Sequence, residues 1–233
     1  MNFENKLIPG VLIKRYKRFF IDIKVDEKIV TAHCPNTGSM MGLLQPGNKV
    51  WITKSNNPKR KLIYTLQIIE VEGHKVGVNT HITNKIFKEG LEKNFFNEIP
   101  KDVSILPETK FGKNTRFDFL IRKVKYKAFI EVKNVTLMRK KSTAEFPDSV
   151  TSRGLKHINS LISAKKKGFE IFIAFIIQRE GMNKFSIAHD IDPMYSKLLT
   201  SSLKNKLNII CYDCKFSRKG IELNKKINVS ING

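Results

Sequence analysis

Acidic residues are scarce in this chain: across 233 residues, 21 Asp and Glu stand against 43 Lys and Arg, a formal charge of +22. That excess is larger than solubility requires, and it runs from Lys14 to Lys226 instead of collecting in one tail. A polyanionic partner is the expectation, with nucleic acid ahead of membrane. Lysine outnumbers arginine, and Asn and Ile are abundant, as AT-biased codon usage would produce; such bias changes which cation is used without removing acids. Cysteine is nearly missing. Cys34 stands alone and Cys211-Tyr212-Asp213-Cys214 is a single C-x-x-C, which excludes a disulfide framework and a disulfide-linked partner. Without a second ligand pair, that C-x-x-C reads as structural thiols before zinc. Long apolar runs are missing too. Nothing approaches about 18 consecutive apolar residues, and Met1-Asn2-Phe3-Glu4-Asn5-Lys6 lacks an apolar signal region, so a cytoplasmic protein with no membrane partner is expected. No G-x-x-x-x-G-K-[ST] loop occurs, so a P-loop is unsupported, and the lack of a major-groove reading motif disfavours promoter recognition.

What is present begins with short β-rich runs over residues 7 to 80, at 11–13, 19–25, 28–33, 49–53, 61–71 and 75–78, punctuated by Gly, Pro, Asn and charge. About five short antiparallel strands predict a small barrel, and an oligonucleotide-binding (OB) type suits a basic surface. A barrel or sandwich that serves only as a packing platform fits the same pattern. Within this stretch, His33-Cys34-Pro35-Asn36-Thr37-Gly38-Ser39-Met40-Met41-Gly42 offers N–H groups at Gly38 to Met40 and the side chains of Asn36, Thr37 and Ser39 as a phosphate nest. It reads equally as a Pro-initiated turn with Asx and Ser/Thr caps.

The second half, 81–233, reads as helix, β-hairpin, helix, strand, helix, strand: an α/β sandwich with a mixed sheet. The helices are predicted over 82–95, 155–167 and 193–206, and the near-continuous apolar run 171–178 marks a central strand. The hairpin carries the chemistry. Arg116 to Ile121 and Lys127 to Val135 are predicted strands, and period-two alternation puts Glu131 and Lys133 on one face with Phe129. Pairing brings Asp118 opposite the Glu131 region. Two carboxylates can share one Mg²⁺ or Mn²⁺, and Lys133 can orient or help deprotonate a water and offset charge developing on a phosphate. An acid followed by E-x-K on a hairpin is the minimal metal-dependent phosphodiester-cleaving site, although exposed Glu and Lys also occur on the wet face of any sheet. Glu89 on the preceding helix is the candidate further ligand, with Glu92 and a plain surface salt bridge as alternatives. Arg116, Arg153, Lys156 and His157 are candidate nucleic-acid contacts, although a lone histidine such as His157 is more often structural or merely exposed.

Separated strings along nearly the whole chain resemble the sugar fermentation stimulation protein family: Ala32 to Met40, Gly77-Val78-Asn79-Thr80, Arg116 to Leu120, Glu131-Val132-Lys133-Asn134-Val135-Thr136-Leu137, Phe146-Pro147-Asp148-Ser149-Val150-Thr151-Ser152-Arg153-Gly154-Leu155-Lys156-His157, and Asp192-Pro193-Met194-Tyr195. The resemblance implies an N-terminal OB-type barrel over 1–80 and a restriction-endonuclease-like domain over 81–233. It also implies DNA binding without clear sequence preference and a link to regulation of sugar use. The family's metal-site pattern falls on Asp118, Glu131 and Lys133, with Glu89 at the helix position. Two departures stand out: no proline precedes Asn79, and Leu155 replaces a glutamine. A Mg²⁺-dependent nuclease, a non-catalytic DNA-binding protein that retains the fold, and a metabolic role independent of nucleic acid all stay open, as does a homodimer.

Overall fold

The computed structural model describes residues 1–113 and 115–231. β1 (Ile8–Tyr16), β2 (Phe20–Val25) and β3 (Lys28–His33) form an antiparallel meander. β4 (Lys49–Lys54) pairs antiparallel with β1 and with β5 (Tyr64–Val71), and a short parallel pairing of β3 with β5 closes the five-stranded barrel in the OB manner. Alternation turns Leu12, Ile21, Ile23, Ala32, Val50, Ile52 and Leu66 inward, with Cys34, Met40 and Leu43 packed among them. The closure abolishes sheet edges that a short all-β unit would otherwise expose.

β6 (His74–Gly77) extends β5 and delivers the chain to the second unit, where the Gly77 N–H donates to the Gln178 carbonyl at 2.8 Å. There follow α1 (Thr83–Glu92), β7 (Ser104–Phe111), β8 (Thr115–Lys123), β9 (Tyr126–Val135), β10 (Leu137–Lys140), β11 (Thr143–Phe146), α2 (Ser152–Lys166), β12 (Glu170–Ile177), β13 (Lys184–Ile187), α3 (Pro193–Lys204), β14 (Leu207–Phe216), β15 (Ile221–Lys226) and β16 (Asn228–Ser230). The main sheet runs β15-β14-β12-β9-β8-β7, with β12 parallel to β9 and β14 and the outer pairs antiparallel. Its two faces carry separate cores. Ile86, Phe87 and Leu91 of α1 pack on Phe119, Ile130 and Val132, whereas Ile158 and Leu161 of α2 and Leu199 of α3 pack on Phe129, Ile173 and Phe175. β12, apolar on both faces, is central for that reason. β10, β11, β13 and β16 make a small accessory sheet.

Several elements depart from expectation. β7 contains Pro107 and a left-handed Glu108, and β15 is mostly polar; both are edge strands, where weak apolar patterning is tolerated. Residues 140–154, between the predicted hairpin and the predicted helix 155–167, hold β11, and α2 starts three residues before Leu155 because the Thr151 side chain accepts the Gly154 N–H and caps it. Cys211 and Cys214 lie in β14, and their odd spacing sends them to opposite cores, with both thiols pushed up by burial. Neither a chelate nor a redox pair is possible from that geometry. Phe175→Ala should cost about 3–5 kcal/mol in equilibrium denaturation, whereas Val124→Ser at the exposed β8–β9 turn should stay within about 0.5 kcal/mol.

Candidate functional site

The β8–β9 ladder pairs residues as far as Phe119 with Ile130 and then stops. At that point Asp118 takes over: its Oδ2 accepts the Val132 N–H at 2.7 Å, so a carboxylate stands where the next strand carbonyl would be. Its Oδ1 accepts from Asn84 Nδ2 of α1 at 2.8 Å. The strands part here, and a cleft of about 810 Å³ opens between this end of the sheet and the barrel. Asp118, Glu131 and Lys133 all line it, together with Asn84, Arg15, Arg18 and Arg153.

Glu131 is 3 % exposed. Lys133 Nζ donates to its Oε1 at 2.7 Å, and the same oxygen meets Nδ1 of His157, which reaches over from α2. Its Oε2 is buried with no hydrogen-bond partner among the described residues. Burial alone would raise the Glu131 carboxyl, yet Lys133 and His157 together hold it below the usual carboxylate range. Asp118 behaves oppositely: burial, and then the nearby Glu131 charge, push it up to about 6. One carboxylate is thus pinned in its charged form by a lysine and a histidine, and the other is raised by burial and by that charge.

α2 is held in position to supply His157. The Asp192 side chain caps α3 by accepting the Tyr195 N–H at 2.9 Å, with Pro193 opening the helix, and its other oxygen accepts the Thr151 N–H at 2.8 Å. One carboxylate thereby fixes the starts of both helices. The loop before α2 also reaches the barrel. The Ser39 hydroxyl donates to the Asp148 carbonyl at 2.7 Å and the Met40 N–H to Asp148 Oδ2 at 3.2 Å, while Asn36 Oδ1 accepts the Gly38 N–H at 2.8 Å. A Cβ on Gly38 would collide with the Asp148 carboxylate, so glycine is needed for this close approach.

The sequence candidates therefore separate. Asp118, Glu131, Lys133, Asn36, Thr37, Ser39 and Arg153 share the cleft. His157 sits behind Glu131, buried, and supports it from the protein side. Lys156 and Arg116 are exposed elsewhere, Arg116 lying 4.0 Å from Glu108. Glu89 is not in the cleft: it pairs with the Met1 ammonium and with Lys93. Five residues of helix beyond Asn84 turn it about 140° away, so the α1 residue that meets Asp118 is Asn84. Asn84, Asp148, Arg15 and Arg18 were not singled out from sequence. Only Asp148 carried a signal, its place in the Phe146-Pro147-Asp148-Ser149 string.

Among the described residues, no three or more His, Cys, Asp or Glu side chains are grouped to hold a metal ion. Two carboxylates are nonetheless a chemically adequate protein donor set for Mg²⁺, which keeps several of its waters and takes one or two carboxylates. The partnerless Glu131 Oε2 and the raised Asp118 fit that requirement.

The family model described as the sugar fermentation stimulation protein N-terminal OB domain matches residues 13–78, and that described as its RE domain matches residues 81–220. A sugar fermentation stimulation protein homolog of Pelagibacter ubique is 53 % identical over 229 residues, covering 98 % of this chain and 99 % of its own. A homolog from Bartonella henselae is 40 % identical, covering 95 % of each. The structure of Pyrococcus furiosus SfsA in complex with Ca²⁺ superposes with a TM-score of 0.89 at 27 % identity, covering 99 % of this chain and 98 % of that one.

The Asp118 carboxyl binds more protons folded than unfolded between about pH 4 and 6, so its contribution to stability falls as pH rises through that window. Asp118→Asn should consequently be more favourable at pH 7 than at pH 4, by about 1–3 kcal/mol relative to the parent, in denaturation run at both pH values.

Proposed function

Because the chain belongs to the sugar fermentation stimulation protein family, we propose that it binds DNA through phosphate contacts, without base-specific reading, along the β1–β2 turn and into the cleft. The turn carries the reading. Lys14, Arg15, Lys17 and Arg18 interleave with Tyr16, Phe19 and Phe20, and Arg15 and Arg18 reach the cleft wall. Phe19 is 43 % exposed and stacks on His33, an aromatic surface of the kind on which bases stack. Arg15 is committed internally, donating to the carbonyls of Asn36 and Gly38, which leaves Arg18 and Arg153 as the phosphate-facing cations. With anisotropy of a labelled duplex and a labelled single strand, log affinity should fall steeply and linearly with log salt. An Arg18→Gln/Arg153→Gln pair should flatten the slope by about 2 and weaken binding at least about tenfold. Binding that is insensitive to salt would sink this reading.

A second reading, metal-assisted phosphodiester hydrolysis, is favoured by one observation, the buried and partnerless Glu131 Oε2 beside Asp118. A cleft that takes a polyanion while holding one buried and one half-buried carboxylate needs a cation between them. The Pyrococcus furiosus relative is a complex with Ca²⁺, a hard oxygen-seeking ion like Mg²⁺ or Mn²⁺. Here Asp118 and Glu131 would hold the ion, which when bound would supply Lewis acidity to phosphate oxygens and acidify a water. Lys133, anchored on Glu131 Oε1, would face charge that grows on the phosphate; His157 and Asn84 would fix the two carboxylates. Incubated with labelled DNA and RNA and Mg²⁺ or Mn²⁺, the protein should cleave, EDTA should abolish this, and Asp118→Ala or Lys133→Ala should lower the rate by about 10²-fold or more. Salt-sensitive binding with no cleavage under any condition would leave the non-catalytic reading standing alone.

A further inference from the structure

A second cavity, of about 380 Å³, lies apart from the carboxylates on the outer face of the barrel, where β3, β4 and β5 meet the β4–β5 loop, the turn before α1 and the N-terminal segment. His33, Arg60 and His81 line it from three different elements. Among the described residues neither imidazole makes a side-chain hydrogen bond, and the Arg60 guanidinium has neither a hydrogen bond nor an ion pair. Among the described residues the one carboxylate on the wall, Glu4, is already engaged by Lys85 at 2.9 Å. The floor is polar and organised: Asn79 donates to Gln67 at 2.8 Å and Gln67 to Thr53 at 2.9 Å. Beside them Thr65, only 8 % exposed, has a hydroxyl with no hydrogen-bond partner among the described residues.

From this geometry we propose that the cavity is an anion site for a phosphate monoester, with Arg60 and the two imidazoles supplying charge-assisted N–H donors and Thr65 a hydroxyl donor. Three donor-rich groups with no acceptor of their own, converging on a walled space, are completed by a compact oxyanion and by little else. The like-charge crowding is felt inside the protein: burial, then Arg60 and His81, hold His33 below the ordinary histidine range, a conflict that an anion relieves. Because Arg60, His33, His81 and Thr65 come from different walls, a phosphate with oxygens on several sides can meet them together, whereas a planar carboxylate with two oxygens cannot.

The five histidines make the site directly readable. Inorganic phosphate titrated at constant ionic strength should produce saturable shifts of the His33 and His81 ring signals by NMR, with His74, His157 and His189 unmoved. Arg60→Gln and His81→Gln change exposed side chains and should preserve the fold; each should weaken the response about tenfold, the usual worth of one charge-assisted bond. Competition then separates sources. A 5′-phosphorylated oligonucleotide that displaces phosphate better than its 5′-hydroxyl counterpart supports the site and assigns it to a strand end, whereas displacement by a mononucleotide with no preference between the oligonucleotides supports it with a free phosphate compound as occupant. Shifts spread over all five histidines, no saturation, or an unchanged response in both variants would overturn the proposal. Because inorganic phosphate alone reads it out, that failure is independent of whether the cleft binds DNA.

Discussion

The structure turns on one substitution of hydrogen bonds: the Asp118 carboxylate, and not a strand carbonyl, accepts the Val132 N–H. A main-chain donor at that depth cannot be left unpaired, since an orphaned buried N–H costs about 1–3 kcal/mol. Asp118 thus lets β8 leave β9 without that cost, and the departure opens the cleft. It also fixes where the negative charge must go. With Asp118 held on Val132 and Asn84, Glu131 lies beside it in the cleft lining, and Lys133 and His157 are both arranged on Oε1 of Glu131. His157 can be there only because Asp192 holds the first turns of α2 and α3 together. A chain of polar contacts from α3 through α2 to the sheet therefore ends on Glu131 Oε1, and the other oxygen of the same carboxylate, Oε2, is buried with no hydrogen-bond partner among the described residues.

The barrel is joined to this arrangement by groups that would otherwise be available for an anion. The loop after β3 has the N–H and hydroxyl donors of a phosphate nest, but the Ser39 hydroxyl and the Met40 N–H are spent on Asp148. An internal carboxylate occupies the place that a phosphate would take. The consequence is that one wall of the cleft is built by the barrel and anchored to the loop preceding α2, so barrel and sheet present a single lining around Asp118 and Glu131.

Much of this was legible in the sequence, for identifiable reasons. The alternation of Phe129, Glu131 and Lys133 against Ile130 and Val132 needs only the period of a strand, and the two cores divide these residues accordingly. The central position of β12 follows from an apolar run with no polar face to show water. Edge strands were illegible because they need little apolar content: β7 and β15 are held by ladders to β8 and β14 and not by pattern. The fault in placing Glu89 was one of phase. An acidic residue on the right helix is only a ligand if it lies on the right side of it, and α1 shows Asn84 to the cleft. The contacts Asn84–Asp118, Asp148–Met40 and Gln178–Thr83 span 34, 108 and 95 residues, and no local periodicity encodes a meeting at such distance.

Charge, finally, is distributed in a way that separates holding a polyanion from acting on it. The cleft is not where the +22 resides: Arg15, Arg18, Lys133 and Arg153 are opposed there by Asp118, Glu131, Glu145 and Asp148. Its field is therefore close to balanced, and long-range attraction must come from the lysines spread over the rest of the surface. On the DNA-binding reading proposed above, such a surface would gather nucleic acid without choosing sequence, as dispersed phosphate contacts do. At the cleft floor the local balance tips the other way, because Lys133 is paired with the buried Glu131 while the half-buried Asp118 beside it is pushed up to about 6 by burial and by the Glu131 charge. A phosphate brought to that floor by the basic surface meets repulsion unless a further positive charge is present. On the hydrolytic reading proposed above, a divalent cation shared between these carboxylates and the phosphate would supply that charge, whereas on the binding reading the phosphates would stay with Arg18 and Arg153 at the cleft wall.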